Sequence, residues 1–520
     1  MKWFTRHGAV VWILVAQVAL APILTGEPAG GTAPAAAPAA LVTATAGPHL
    51  SVTAHSITIG GTALRYTATA GDEQITNDAG NIQADMFFVA YVRQNVPDRG
   101  KRPIMFVFNG GPGAASVVLH LDAVGPKRVR LADSGAPLPP PPHWVENPST
   151  WLGFTDLVFI DAVGTGFSSA APDVPASTFY QVAGDARSFA EFIRLYLAAN
   201  HREASPKFIA GESYGGTRAV ILARLLGSDF GVTLNGIILI SPVIDFETLN
   251  TQFRDPGRST ALAYALDVPT YTATAWYHKK LSTALQANLQ GVMREVEQWT
   301  ITEYLPALIQ GDALAEEAQG RITRTLSRYT GVSEDVIRAN HLRLLPSVFR
   351  RELLQDQHLQ VSALDGRIAF DPRAGSQFTT DAIVSPLGPV FNDYAKRELD
   401  YHTDLTYEAL SSRVGREWNW GPGGATGFLN VTDDLRQALQ RNGALKVLIA
   451  RGVYDLTVPY YGTDYALNQL QLGAALRGNI TRTYYGSGHM VYTSQSEMEK
   501  LATDVSAFVA DAMAAGHARP

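Results

Sequence analysis

Residues 207–216, KFIAGESYGG, pass from an apolar strand through a G-x-S-x-G turn into a segment able to form a helix. The serine, Ser213, stands at the apex of that turn. A strand ending in such a turn and continuing as a helix is the local grammar of a mostly parallel α/β sheet. The glycines are required because the turn brings backbone too close to tolerate side chains. The amino end of the following helix then faces any negative charge that develops beside the serine.

The same grammar appears on both sides of this stretch. Residues 103–108 (PIMFVF) are apolar without alternation and run into Asn109-Gly110-Gly111-Pro112-Gly113. A strand apolar on both faces suits the middle of a sheet covered by helices on each side. Residues 157–160 lead into Asp161 and the glycines of VGTGFS, 236–240 into Ser241-Pro242, and 446–450 into GVYD. Helical stretches intervene at 180–199 and 217–226. Upstream, strand-like segments at 56–59, 63–68 and 86–93 are separated by Gly-Gly, Gly-Asp and Ala-Gly-Asn, which read as turns. The pattern predicts an α/β fold with a mostly parallel central sheet flanked by helices, binding its ligand at the carboxyl ends of the strands. Between about 250 and 400 the period changes to long helical patterns (284–298, 316–329, 334–345). The chain therefore divides into a core part at 49–250, an inserted, mainly helical cap at 251–400 and a second core part at 401–520.

The remaining composition narrows the class. With 46% hydrophobic and 17% charged residues, the chain has the makeup of a globular protein rather than a disordered one. Its formal charge of −6 and lack of basic runs give no reason to expect nucleic acid or an anionic membrane as partner. Lys2, Arg6 and His7 followed by an apolar stretch read as an export signal over 1–25, with an uncleaved anchor as the alternative. Residues 26–48 have the Ala/Pro-rich composition of a linker. Without a single cysteine the exported protein forms no disulfide and carries no lipid on one. The PLPPPP run at 137–142 reads as a rigid surface loop. No complete dinucleotide fingerprint, P-loop or HExxH is present, so no cofactor or metal is expected. Asn430 and Asn479 begin N-x-T patterns, which matter only in a glycosylating host.

A serine hydroxyl needs a general base within reach, and in this fold the chain order is Ser, acid, His. His278, His341 and His358 lie in helical text. His489 instead follows the strand-like residues 481–485 in a Gly-Ser-Gly-His loop. Asp245 and Asp455 both stand after strands and qualify as the acid in outline. Asp455 is favoured because it lies 34 residues before His489, room for one helix and one strand, which puts both on neighbouring strand ends. Its role would be to fix the imidazole tautomer and stabilise the imidazolium. Two backbone N–H donors must receive the oxyanion: that of Tyr214, and one from the Asn109–Gly113 loop.

Taken together, FNGGPGAAS (108–116), ENPSTW (146–151), FIDAVGTGFS (159–168), GESYGG (211–216), GVYDLTVPY (452–460) and GSGHMVY (486–492) resemble the serine carboxypeptidases of the α/β-hydrolase fold. The resemblance implies a triad of Ser213, Asp455 and His489, and an oxyanion hole from the N–H groups of Gly111 and Tyr214. It also implies that Asn109 and Glu212 hold the free carboxylate of a peptide substrate. Since only a protonated Glu212 can donate to that carboxylate, cleavage should favour acid pH. Phe108 stands where the family has Trp, and Ala114 where it has Cys. Ala123 stands where many members carry a second carboxylate-binding Glu; neighbouring Asp122 would point about 100° away on a helix. The implied activity is serine-type removal of C-terminal residues from peptides. The alternatives are an esterase or acyltransferase of the same fold, and an inactive binding protein.

Overall fold

Strands β1 (Leu50–Ile59), β2 (Thr62–Thr76), β3 (Ile82–Arg93), β4 (Ile104–Phe108) and β5 (Asp156–Ile160) open the central sheet. It is completed by β6 (Lys207–Glu212), β7 (Gly236–Ile240), β8 (Lys446–Gly452) and β9 (Ile480–Tyr485). The computed structural model describes residues 50–77, 79–130, 141–249, 260–374, 384, 386–421 and 429–517. The export signal and linker at 1–48, residues 137–140 of the proline run and the glycines at 423–427 lie outside these.

The strand order is β1-β2-β3-β5-β4-β6-β7-β8-β9, with Ser169–Ala170 paired to β3. From β5 to β9 every neighbouring pair is parallel, while β1, β2 and β3 add an antiparallel flank. One expectation fails in this flank. Gly71-Asp72, which reads as a turn, lies inside β2, where Gly71 pairs with Phe88 and Asp72 with Phe87. The ladders of β1 and β3 on either side outweigh the local turn preference, and the Tyr401 hydroxyl donates to Asp72 at 3.1 Å.

The unbroken apolar strands bury both faces. Met105, Val107, Phe208, Ala210, Leu448 and Ala450 join the core on one side. Ile104, Phe106, Ile209, Ile237, Val447 and Ile449 join the core on the other. Helices α1 (Val182–Ala199) and α2 (Tyr214–Asp229) cover the second face.

Between the two core parts lie α3 (Ala261–Tyr277), α4 (Leu289–Trp299) and α5 (Glu316–Thr330), which pack Val268, Tyr271, Val296, Trp299, Leu326 and Tyr329 into a core of their own. The pattern at 284–298 is broken at Asn288, whose side chain caps the Gly291 N–H at 3.0 Å. The pattern at 334–345 ends at Ala339, and His341 and Leu342 follow with φ of 51° and 66°. Helix α6 (Leu387–Arg397) returns the chain to the first face, where α9 (Gln495–His517) also packs Leu501, Val505 and Phe508. Helix α7 (Thr432–Arg441) covers the second face, and α8 (Tyr460–Asn468) follows β8.

Candidate active site

At the end of β6 the backbone of Ser213 takes φ 59° and ψ −125°, a conformation outside the ordinary regions for a residue with a side chain. The surroundings hold it there. Ser213 N–H donates to the Ile240 carbonyl at 2.9 Å, and Gly216 N–H to the Ser213 carbonyl at 2.8 Å. A Cβ added to Gly211 would run into the Gly215 carbonyl. The NGGPG loop after β4 lies directly against this turn, since a Cβ on Gly110 would sit 2.6 Å from the Tyr214 amide nitrogen. Gly111 itself has φ 102°. Tyr214 opens α2, so its N–H has no acceptor within the helix.

The loops after β8 and β9 supply the candidate acid and the candidate base. Gly452 pairs with Tyr485 at the carboxyl ends of these parallel strands. Beyond them, Asp455 Oδ2 meets His489 Nδ1 at 2.7 Å. Asp455 Oδ1 accepts from the N–H groups of Thr457 at 2.9 Å and Val458 at 2.8 Å, so the carboxylate cannot swing away. The imidazole is anchored through its own backbone: His489 N–H donates to the Leu364 carbonyl, and the His489 carbonyl accepts from the Ser241 hydroxyl at 2.7 Å. Burial would lower the basicity of His489, but the Asp455 carboxylate and, further off, Glu212 outweigh it and raise the pKa. Asp245, the other acid considered, uses its carboxylate to cap the Glu247 N–H at 2.9 Å.

Glu212 is buried beside Ser213. Its Oε2 accepts from Asn109 Nδ2 at 2.9 Å and from the Tyr492 hydroxyl at 2.6 Å. Burial pushes its pKa up to about 7, although His489, Tyr492 and Asn109 all pull it down. Asn109 is fixed in turn by accepting the Leu119 N–H at 2.9 Å. The segment after Leu119 departs from the α-helical spacing expected around Ala123. Residues His120–Val124 form a π turn, with the Gly125 N–H bonded to the His120 carbonyl at 3.0 Å. Asp122 is buried there, its Oδ1 has no hydrogen-bond partner among the described residues, and burial together with the charge of Glu212 drives its pKa to about 8.

Three supporting groups escaped the sequence reading. Tyr492 holds Glu212 and lies only three residues beyond His489, inside the GSGHMVY block. Arg218 on α2 forks onto Asp185 of α1 at 2.7 and 3.0 Å and donates to the Asn109 carbonyl at 2.7 Å, tying both helices to the NGGPG loop. Asp161, at the end of β5, accepts from the backbone and hydroxyl of Ser116 and from Tyr407, which fixes the far side of that loop. No local spacing marks such residues, because their partners are 33 to 280 positions away.

Asn109, Gly111, Glu212, Ser213 and His489 line one cavity of about 500 Å³. The residues between α3 and α6 contribute Arg350, Leu364 and Phe370 to its wall. A larger hollow of about 610 Å³ lies against α1 and contains none of the candidate catalytic groups.

The sheet order, the strained serine after β6 and the acid and histidine after β8 and β9 define the α/β-hydrolase class. Residues 75–336, half of the chain, match the family model described as serine carboxypeptidase, and the chain belongs to that family. A pheromone-processing carboxypeptidase of Yarrowia lipolytica is 28% identical over 176 residues, which cover 34% of this chain and 26% of that protein. A carboxypeptidase Y homolog of Arthroderma benhamiae is 30% identical over 171 residues, covering 32% and 31%. These matches thus span about a quarter to a third of the relatives' length. The crystal structure of a prohormone-processing carboxypeptidase from Saccharomyces cerevisiae shares the fold, with a TM-score of 0.54 and 17% identity over 85% of this chain and 91% of that one. No helix among the described residues is long and apolar enough to cross a membrane.

Proposed function

We propose that the protein is a serine carboxypeptidase that removes C-terminal residues from peptides through an acyl-enzyme. The observation that carries this reading is Glu212, a buried acid held by Asn109 and Tyr492 directly beside the candidate nucleophile. Ser213 Oγ attacks the last peptide carbonyl while His489 Nε2 takes its proton, with Asp455 holding the imidazolium. The N–H groups of Gly111 and Tyr214 receive the oxyanion. His489 then returns the proton to the departing amino acid, and water repeats the sequence to release the shortened peptide.

Asn109 and protonated Glu212 donate to the terminal carboxylate of the substrate. An ionised Glu212 would repel it, so cleavage of free-acid peptides should weaken as pH rises past about 7. The apolar stretch and linker at the amino terminus support export before the enzyme acts.

A matched pair of peptides, one a free acid and one amidated, tests the reading at pH 5 and pH 8, with Ser213→Ala as control. Selective cleavage of the free acid is expected, with its advantage over the amide largest at the lower pH. Equal cleavage of both, or brisk ester turnover with no peptide cleavage, overturns it in favour of an esterase or acyltransferase. Failure of a phosphonofluoridate to label Ser213 in folded protein would instead mark a binding protein.

A further inference from the structure

Arginines buried in the sheet region are all tied to carboxylates. Arg102 and Arg202 share Asp156, and Arg218 holds Asp185, each at 2.7 Å. Arg350 is different. It sits on the short helix Pro346–Glu352 and lines the cavity that contains Ser213 and His489. Its Nε donates to the Val361 carbonyl at 2.8 Å, which fixes the direction of the guanidinium. No carboxylate among the described residues pairs with it, although its neighbour Arg351 pairs with Glu352. Burial lowers its pKa, and the one titratable group that acts on it is Tyr271; an arginine still stays charged.

The walls around this cation are largely apolar, with Leu364, Phe370, Val384 and Leu410 among them. Besides Arg350, the ionisable groups lining the cavity among the described residues are Glu212 and His489. Glu212 is engaged by Asn109 and Tyr492, and His489 by Asp455. A half-buried guanidinium without a counter-charge is costly to keep, and a carboxylate brought by a ligand offsets that cost through a forked pair of hydrogen bonds.

We propose that Arg350 binds an acidic side chain of the substrate and makes the site selective for aspartate or glutamate next to the scissile bond. The assignment rests on the reading of this cavity as the peptide site. It adds a second carboxylate contact, separate from the terminal carboxylate given to Asn109 and Glu212. A helical segment inserted in the fold thereby supplies selectivity to chemistry that the sheet positions.

The test uses binding, so that it does not depend on turnover. Short acetylated peptides carry Glu or Gln at the last or the next-to-last position, each as free acid and as amide. Their affinities are measured calorimetrically on the full-length Ser213→Ala protein and on the same protein with Arg350→Gln or Arg350→Lys. The expected result is a Glu-over-Gln preference of roughly tenfold or more at one of the two positions. Arg350→Gln should bring that ratio near one, and Arg350→Lys should keep part of it. Equal binding of Glu and Gln peptides to the Ser213→Ala protein overturns the proposal, as does a ratio that survives Arg350→Gln. If Arg350→Gln erases the preference for free acid over amide instead, the residue holds the terminal carboxylate and the side-chain assignment is wrong. Glu selectivity in binding without cleavage by the wild-type enzyme would sink the peptidase reading and leave this one standing.

Discussion

The sheet region and the helical segment from α3 to α6 bring different things to the same cavity. In the sheet region, positions are set by backbone: strand ends, close glycine contacts and loops tied by buried charges. Ser213 is bonded through its amide to Ile240, and Asp455 through its carboxylate to two N–H groups. The helical segment packs largely on itself and offers side chains, of which Arg350, Leu364 and Phe370 reach the cavity. A frame of hydrogen-bonded backbone holds atoms to within the tolerance that bond-making needs. A side chain reaching in from a separately packed unit can be exchanged without disturbing that frame.

Substitutions in each region put this contrast at risk. The largest effect should come from Ser213→Ala, with hydrolysis falling on the order of a millionfold while the unfolding transition stays in place. Turnover and thermal melts on one preparation check both. Next is Arg218→Met, which strands the fully buried Asp185 and frees the Asn109 carbonyl. A loss of about 3–5 kcal/mol in denaturant unfolding is expected, since removing one partner leaves an uncompensated buried charge. A stable Arg218→Met protein would break the claim that buried charge pairs hold the frame.

Glu212→Gln should act on pH dependence. In wild type the acid is neutral below about pH 7, and kcat/KM for free-acid peptides should decline above that value by up to tenfold per unit. The amide cannot ionise, so the decline should vanish in the variant. Stability follows the same sign. A carboxyl whose folded pKa is raised contributes stability below its ordinary value near 4.5, and that contribution is lost as pH climbs toward 7. Urea melts at pH 4 and pH 8 should therefore differ less in the variant than in wild type, apart from whatever other groups add to both. The smallest effect belongs to the contact between the two regions, where the Tyr460 hydroxyl of α8 donates to Glu297 of α4 at 2.6 Å. Tyr460→Phe should cost about 1 kcal/mol, because Glu297 is only partly buried and water can replace the bond. A much larger loss would show the two regions to be one cooperative unit.

Much of the sheet could be read in advance because its signals are local. Unbroken apolar runs ending in turn residues marked β4 through β8, and the order Ser213, Asp455, His489 followed from what a serine needs. The readings that failed were those where distant partners decide. Gly71-Asp72 reads as a turn until the strands on either side of β2 claim its backbone. Helix α3 carries no clear local signal, since Pro269 and three threonines are poor helix formers; it stands because it is buried on nearly every side. On α-helical spacing Asp122 points about 100° away from Ala123, but His120–Val124 form a π turn, to which that spacing does not apply.

The sequence by itself determined the class of sheet, the strained turn at Ser213 and the loops that carry Asp455 and His489, because each depends on residues within one strand and its turn. Only the tertiary structure decided that Tyr492 and Asn109 grip Glu212, that Arg218 ties two helices to the NGGPG loop, and that Arg350 lines the cavity with no carboxylate partner among the described residues. Those facts arise from side chains 33 to 280 positions apart meeting in a dry interior, where an unpaired charge is expensive and no sequence period records the partner.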